Sequence, residues 1–248
     1  MRLGVLNFEK TGLKDLSVKT ILITGSNRGL GLEFTKQLTT QGENVIATCR
    51  QPQRAEILQE LAKKNENLSI ITLDVSDDQS IARVINMLGD TPIDWLINNA
   101  GITGEQGVTI GNITRDNFLN VMNVNCLGAV KVSEALLPNL QKGEDKLIIC
   151  MSSRLGTISD NQWGRAYAYR ASKAALNCVM RSFAVDVANL GVKVLLLHPG
   201  WVKTELGGPL AEIDAPTSVA SMLKVIEASK ADAHAEVLHT YDGKTVDW

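Results

Sequence analysis

Thr20-Ile21-Leu22-Ile23-Thr24 followed by Gly25-Ser26-Asn27-Arg28-Gly29-Leu30-Gly31 is the stretch whose reading decides the fold. A short apolar strand runs straight into a glycine-rich turn, and Leu32 to Gln41 then carries apolar residues at helical spacing up to the stop signal Gln41-Gly42. Glycines at 25, 29 and 31 permit a tight turn and a close backbone approach, so a pyrophosphate can rest against the positive end of the helix beside Leu30. A glycine corner without a ligand is the alternative for this motif taken alone. No Lys followed by Ser or Thr closes the glycines, which argues against the phosphate loop of a nucleoside triphosphatase.

Downstream the same alternation repeats. Strands are expected at Asn44 to Cys49, Leu68 to Leu73, Ile93 to Ile97, Lys146 to Met151, Val192 to Leu197 and Glu236 to Thr240. Between them lie helical patterns at about Arg54 to Lys64, Gln79 to Met87, Thr114 to Leu137 (ended by Pro138), Arg165 to Asn189 and Pro216 to Ala228. Gly101 to Asn112 reads as a loop. Strands apolar throughout and separated by helices call for a sheet covered on both faces. The expected fold is α/β: a Rossmann-type, doubly wound parallel sheet of seven strands with helices on both faces and its ligand crevice beyond the carboxyl ends of the strands.

Upstream, residues 1–18 are mixed in character and read as an N-terminal extension: a tail, an added edge segment or part of a partner surface. Residues 19–248 read as a single dinucleotide-binding catalytic domain, since 248 residues with 44% hydrophobic content fit one substantial core. With 25 basic and 27 acidic side chains the formal charge is −2, which offers no overall attraction to nucleic acid or an anionic membrane. No apolar run is long enough to span a bilayer, and charged residues stand where a signal peptide would be apolar, so a cytoplasmic location is expected. Cys49, Cys126, Cys150 and Cys178 are scattered in or beside apolar segments and read as small buried hydrophobes of a reducing compartment. The 3 histidines do not cluster with them, so no metal site is expected.

The polar residues at strand ends carry the functional reading. The second strand ends Thr48-Cys49-Arg50, where an acidic residue would bind the ribose 2′-hydroxyl of NAD and repel a 2′-phosphate. Arg50 and Arg28 offer guanidiniums instead, which favours NADP(H); the alternative is that Arg50 merely begins a solvated helix. Asp74-Val75 closes the third strand, where a carboxylate can accept the adenine amino group and the backbone can donate to a ring nitrogen. Asn98-Asn99-Ala100-Gly101 ends the fourth; its first Asn can tie neighbouring loops, and the small residues let a cofactor pass close to the backbone. A sheet-end turn is the other reading.

Tyr169 and Lys173 lie one helical turn apart on the same side of their helix. A phenol with a reference pKa of about 10 needs its phenolate stabilised to act near neutrality, and a neighbouring ammonium does so. A surface pair is the common meaning of this spacing alone, but Ser152-Ser153 at the end of the fifth strand falls on the same ligand side.

With these motifs in order, the chain from about Lys19 onward resembles the short-chain dehydrogenase/reductase family, within it the sniffer-like and C-signal-like carbonyl reductases. The resemblance rests on Thr24 to Gly31, Asp74, Asn98 to Gly101, Asn125 in Asn125-Cys126-Leu127-Gly128, Ser153, Tyr169 with Lys173, and Pro199-Gly200-Trp201-Val202-Lys203-Thr204. It implies a catalytic set of Ser153, Tyr169, Lys173 and Asn125, although a mid-helix Asn125 also suits a local backbone defect. It implies that Tyr169 and Lys173 also hold the nicotinamide ribose, and that Pro199, Gly200, Val202 and Thr204 hold the carboxamide side. Trp201 shapes the substrate wall or packs under its loop, and Leu206 to Pro216 forms a short lid. Two departures stand out: Ser153 and Tyr169 are further apart than is usual, and the N-terminal extension has no family role.

The expected activity is NADPH-dependent reduction of an aldehyde or ketone, a small-molecule carbonyl, with Tyr169 as general acid. The alternatives are an NAD-linked alcohol or steroid dehydrogenase and a catalytically silent dinucleotide sensor, which should lack Ser153, Tyr169 or Lys173. The family also implies a homo-oligomer, dimer or tetramer, built through the two long helices.

Overall fold

Side chains alternate across an extended strand, so Ile21 and Ile23 enter one apolar layer and Leu22 the other, and all three are fully buried. That double burial recurs through the computed structural model, which describes residues 18–247. Apart from Val18, the N-terminal extension lies outside the described residues.

The elements in chain order are β1 (Thr20–Thr24), α1 (Gly29–Thr40), β2 (Asn44–Cys49), α2 (Glu56–Lys64), β3 (Leu68–Thr72), α3 (Asp78–Leu88) and β4 (Trp95–Asn98). There follow α4 (Arg115–Met122), α5 (Gly128–Ala135), α6 (Leu137–Lys142), β5 (Leu147–Met151), α7 (Tyr167–Asp186), β6 (Lys193–His198), α8 (Ala215–Ser229), β7 (His234–Thr240) and β8 (Thr245–Val246). The strands form one sheet in the order β3-β2-β1-β4-β5-β6-β7-β8. The seven expected strands are parallel, and the eighth, unexpected one returns antiparallel to β7 over two residues. Leu32, Phe34 and Leu38 of α1, Leu58 of α2 and Val219, Met222 and Ile226 of α8 cover one face. Ile81 and Val84 of α3, Val132 of α5 and Leu176 and Met180 of α7 cover the other. The strand order reverses between β1 and β4, and the crevice opens there, past the carboxyl ends.

Three expectations change. The helix expected over Thr114 to Leu137 is interrupted at Asn123–Leu127, where one wider π turn joins α4 to α5. Pro138 does not end the helical region. It sits in the first turn of α6, where its missing N–H costs nothing. Cys178 is exposed while Cys49, Cys126 and Cys150 are buried, because α7 turns Asn177 and Met180 inward and so Cys178 outward; all four thiols are free. No helix among the described residues is long and apolar enough to cross a membrane.

Candidate active site

α1 begins without a side-chain cap. Asp77, Thr114 and Asp214 each accept a backbone N–H at the start of α3, α4 and α8, whereas Arg28 at the start of α1 makes no such bond. The first-turn N–H groups of α1 therefore face the crevice with the positive end of the helix behind them, an arrangement suited to an anion. The turn that delivers them is tightly built. Gly25 has φ +69°, and a Cβ there would lie 2.9 Å from Ala100 Cα; a Cβ on Gly31 would lie 2.3 Å from the Gly25 carbonyl oxygen.

Thr24 and Asn99 lock this turn to the end of β4. Thr24 Oγ1 accepts from the N–H groups of Asn99 and Ala100, each at 3.0 Å, and Asn99 Nδ2 donates to the carbonyls of Thr24 (2.9 Å) and Gly25 (3.1 Å). The loop-tying role expected of Asn98 thus belongs to Asn99. Asn98 points beneath the sheet end, is buried, and donates to Ser133 Oγ at 2.9 Å, so it is not among the residues lining the cleft. The cause is strand geometry: adjacent residues face opposite ways.

The cleft runs from Arg50 and Asp74 to the tyrosine. Gly25, Asn27, Arg28, Gly29, Leu30, Arg50, Asp74, Val75, Asn99, Ala100 and Gly101 line it together with Tyr169, Lys173, Pro199 and Thr204. One oxygen of Asp74 is held by the N–H (2.9 Å) and hydroxyl (2.6 Å) of Ser76, which fixes the carboxylate at the strand end. Gly31 lies behind the lining as a packing residue. Gly200, with φ +83°, packs against Tyr241 and Ile213, and Val202 bridges to Ile213. Trp201 is half exposed and donates to the Gly207 carbonyl at 2.7 Å, which braces the loop expected to act as a lid.

At the other end, Ser153 lies just past β5, and its Oγ accepts from the Leu155 N–H at 3.1 Å. Gly156 lets this turn seat on α7, since a Cβ there would come within 2.8 Å of the Lys173 backbone. Burial raises the Tyr169 pKa, and a hydrogen bond with Ser153 opposes that rise. Lys173 is 5% exposed, and burial lowers its pKa to about 8. Its Nζ donates to the Met151 carbonyl at 2.7 Å and lies 5.8 Å from the Tyr169 ring centre. The expected direct lowering of the tyrosine by the ammonium is therefore not the dominant effect here: the strand end anchors Lys173, and burial governs both groups.

Asn125 sits inside the π turn and is 1% exposed. Its Oδ1 accepts from Ile102 N–H and its Nδ2 donates to Ile102 C=O, both at 2.8 Å, and Nδ2 also reaches Ser172 Oγ at 3.0 Å. The backbone-defect reading of Asn125 matches this π turn, and the side chain fastens the loop after Gly101 to α7. The side chain itself is not among the cleft-lining groups.

Sequence reasoning missed Glu205. It lines the cleft mouth and forms an ion pair with Arg28 across it. The Met151 carbonyl was missed as well. Neither had a sequence signal, since each contact depends on which strand ends become neighbours.

Comparisons with known proteins show the family. The family model described as short chain dehydrogenase matches residues 19–214. C-signal of Myxococcus xanthus is 41% identical over 157 residues, covering 63% of this chain and 93% of that protein. The NADPH-bound carbonyl reductase from chicken fatty liver is 38% identical with a TM-score of 0.85, covering 93% of this chain and 99% of that one. The carbonyl reductase Sniffer of D. melanogaster is 33% identical with a TM-score of 0.82, covering 93% of this chain and 100% of that one.

Proposed function

We propose that this chain, which belongs to the short-chain dehydrogenase family and is an oxidoreductase of it, reduces an aldehyde or ketone with NADPH. The observation that carries the reading is that both halves of the required chemistry line one cleft: Arg28, Arg50 and the glycine turn at one end, Tyr169 and Lys173 at the other. The cradle fits a dinucleotide. The Gly25 and Gly31 positions have no room for side chains, the α1 terminus is uncapped, and Arg50 makes no ion pair among the described residues. The solved relatives described as NADPH-bound or in complex with NADP support the cofactor.

In this reading the α1 N–H groups hold the pyrophosphate, Arg28 and Arg50 the 2′-phosphate, Asp74 and Val75 the adenine, and Asn99 to Gly101 the passage between. Tyr169 and Lys173 hold the nicotinamide ribose, and Pro199 and Thr204 the carboxamide side. Bound NADPH supplies the hydride. Tyr169, protonated at neutral pH, donates its phenolic proton to the carbonyl oxygen; burial opposes formation of the phenolate, so the transfer depends on the groups that stabilise it. Ser153 donates a hydrogen bond to the same oxygen as negative charge grows on it, so its contribution is largest in the transition state. Lys173 keeps a positive charge beneath the phenolate left behind, and Asn125 holds the Gly101 loop and α7 in register.

The decisive measurement is the initial rate with NADPH and with NADH over a panel of quinones, aromatic aldehydes, dicarbonyls and keto-steroids. Charge-assisted bonds from two partly solvated guanidiniums should favour NADPH by about ten- to a hundredfold in kcat/KM. Equal use of NADH would overturn the roles given to Arg28 and Arg50; binding without turnover on any substrate would favour a sensing protein.

Lys173 also sets a pH limit. Its charged form is lost as pH rises through about 8, well below the ordinary 10.5, while Tyr169 stays protonated to higher pH. The kcat/KM for NADPH, which reports the free enzyme, should then fall about tenfold per pH unit above that value. Lys173→Arg, whose guanidinium keeps its charge, should move the limb upward; a wild-type profile flat through pH 9.5 would contradict the assignment.

Four free thiols, three of them buried, fit a reducing compartment such as the cytoplasm. Exposed Leu119, Leu127 and Val185 along α4, the π turn and α7 support a homo-oligomer assembled through these helices.

A further inference from the structure

We propose that Glu205 tunes the preference for NADPH over NADH by competing with the cofactor's 2′-phosphate for Arg28; this rests on the NADPH reading above. Arg28 belongs to the turn between β1 and α1, and Glu205 follows Thr204 on the segment beyond β6. Their side chains form an ion pair across the cleft mouth, and both line the cleft. The two segments meet there, since a Cβ on Gly29 would lie 3.6 Å from the Thr204 side chain at Cγ2, so the pair joins neighbouring walls. Arg50, by contrast, makes no ion pair among the described residues. One of the two phosphate ligands is therefore free and the other is already engaged.

Glu205 engages Arg28 through Nη1, so the donors of that nitrogen are occupied, and a phosphate that needs them for a paired contact must displace the carboxylate. The 2′-phosphate of NADPH, carrying more negative charge than a carboxylate, displaces Glu205 to reach Arg28. NADH makes no demand on Arg28 and leaves the pair intact. The cost of breaking the pair thus falls on NADPH binding alone, and Glu205 moderates a discrimination that Arg28 and Arg50 would otherwise set higher. Both partners are largely solvated, with 60% and 69% of their side chains exposed, so the effect is small but measurable.

The test is a double-mutant cycle read by direct binding of NADPH and NADH to the purified full chain. Glu205→Gln keeps the shape and removes the charge. It should tighten NADPH about two- to fivefold, the range an exposed ion pair allows, and leave NADH unchanged. Arg28→Met should weaken NADPH, and in that background Glu205→Gln should have no further effect. If Glu205→Gln tightens both cofactors equally, the carboxylate acts on the shared pyrophosphate and the proposal fails. It fails too if Glu205→Gln moves neither while Arg28→Met still weakens NADPH. Unchanged NADPH binding in Arg28→Met overturns the underlying assignment of Arg28 itself.

Discussion

Replacing Tyr169 with phenylalanine is expected to lower kcat/KM for carbonyl reduction by about 10²- to 10⁴-fold, the range for loss of a positioned general acid. The substitution deletes one oxygen and keeps the ring, so α7 and its packing on the Ser153 turn remain. Lys173 keeps its bond to the Met151 carbonyl, because that contact does not involve the phenol. Only the phenol's own bond to the ribose is lost, so NADPH binding should weaken by no more than about tenfold, far less than activity, which separates lost chemistry from lost binding. Ser153 loses its phenolic partner and still has the Leu155 N–H. A variant retaining more than about a tenth of wild-type activity would remove Tyr169 from the role of proton donor and leave water or Ser153 to supply it.

Gly31→Ala is expected to damage the opposite end of the cleft. The new methyl would lie 2.3 Å from the Gly25 carbonyl oxygen and 2.5 Å from Asn99 Nδ2. Neither neighbour can retreat freely. Gly25 is held in the left-handed region against Ala100, and Asn99 Nδ2 is bonded to the carbonyls of Thr24 and Gly25. Overpacking of this kind costs about 1–3 kcal/mol, which for a chain of this size lowers Tm by several degrees. The displaced turn also carries the N–H donors of α1, so NADPH affinity should fall by about tenfold or more, one such charge-assisted contact. Gly42→Ala is the control: its φ of +88° makes an alanine strained, but open space surrounds it and it lies outside the cleft. It should lose stability and keep affinity. Equal loss of affinity in both variants would mean that the turn has no special claim on the ligand.

Much of this fold was legible because the central parallel strands are largely apolar and buried, and the crossover helices carry their own periodicity. β8 was not, since Thr245–Val246 is too short to show a period and pairs only because a turn returns it to β7. The π turn was equally silent: Asn123–Leu127 keeps the residues of a helix and changes only the hydrogen-bond step. Within the site, residue types and their order were readable, but orientation was not. The Asn98-Asn99 pair shows this plainly, as only the sheet decides which of two identical side chains faces the turn. Glu205 lay beyond reach because its partner sits on a different crossover, and a solvated carboxylate one residue past a recognised motif looks like any other surface charge.

The bare start of α1 reaches beyond binding geometry. α3, α4 and α8 complete their first turn with their own side chains; in the NADPH reading the start of α1 is completed by the bound cofactor. Folding and ligand concentration are then thermodynamically linked, and a ligand at a hundred times its Kd adds about 2.7 kcal/mol to the folded state. That is a sizeable share of a typical domain's total. The lifetime of the polypeptide against unfolding and proteolysis should thereby be tied to the dinucleotide pool around it, so the amount of enzyme, and not only its rate, is expected to follow the size of that pool.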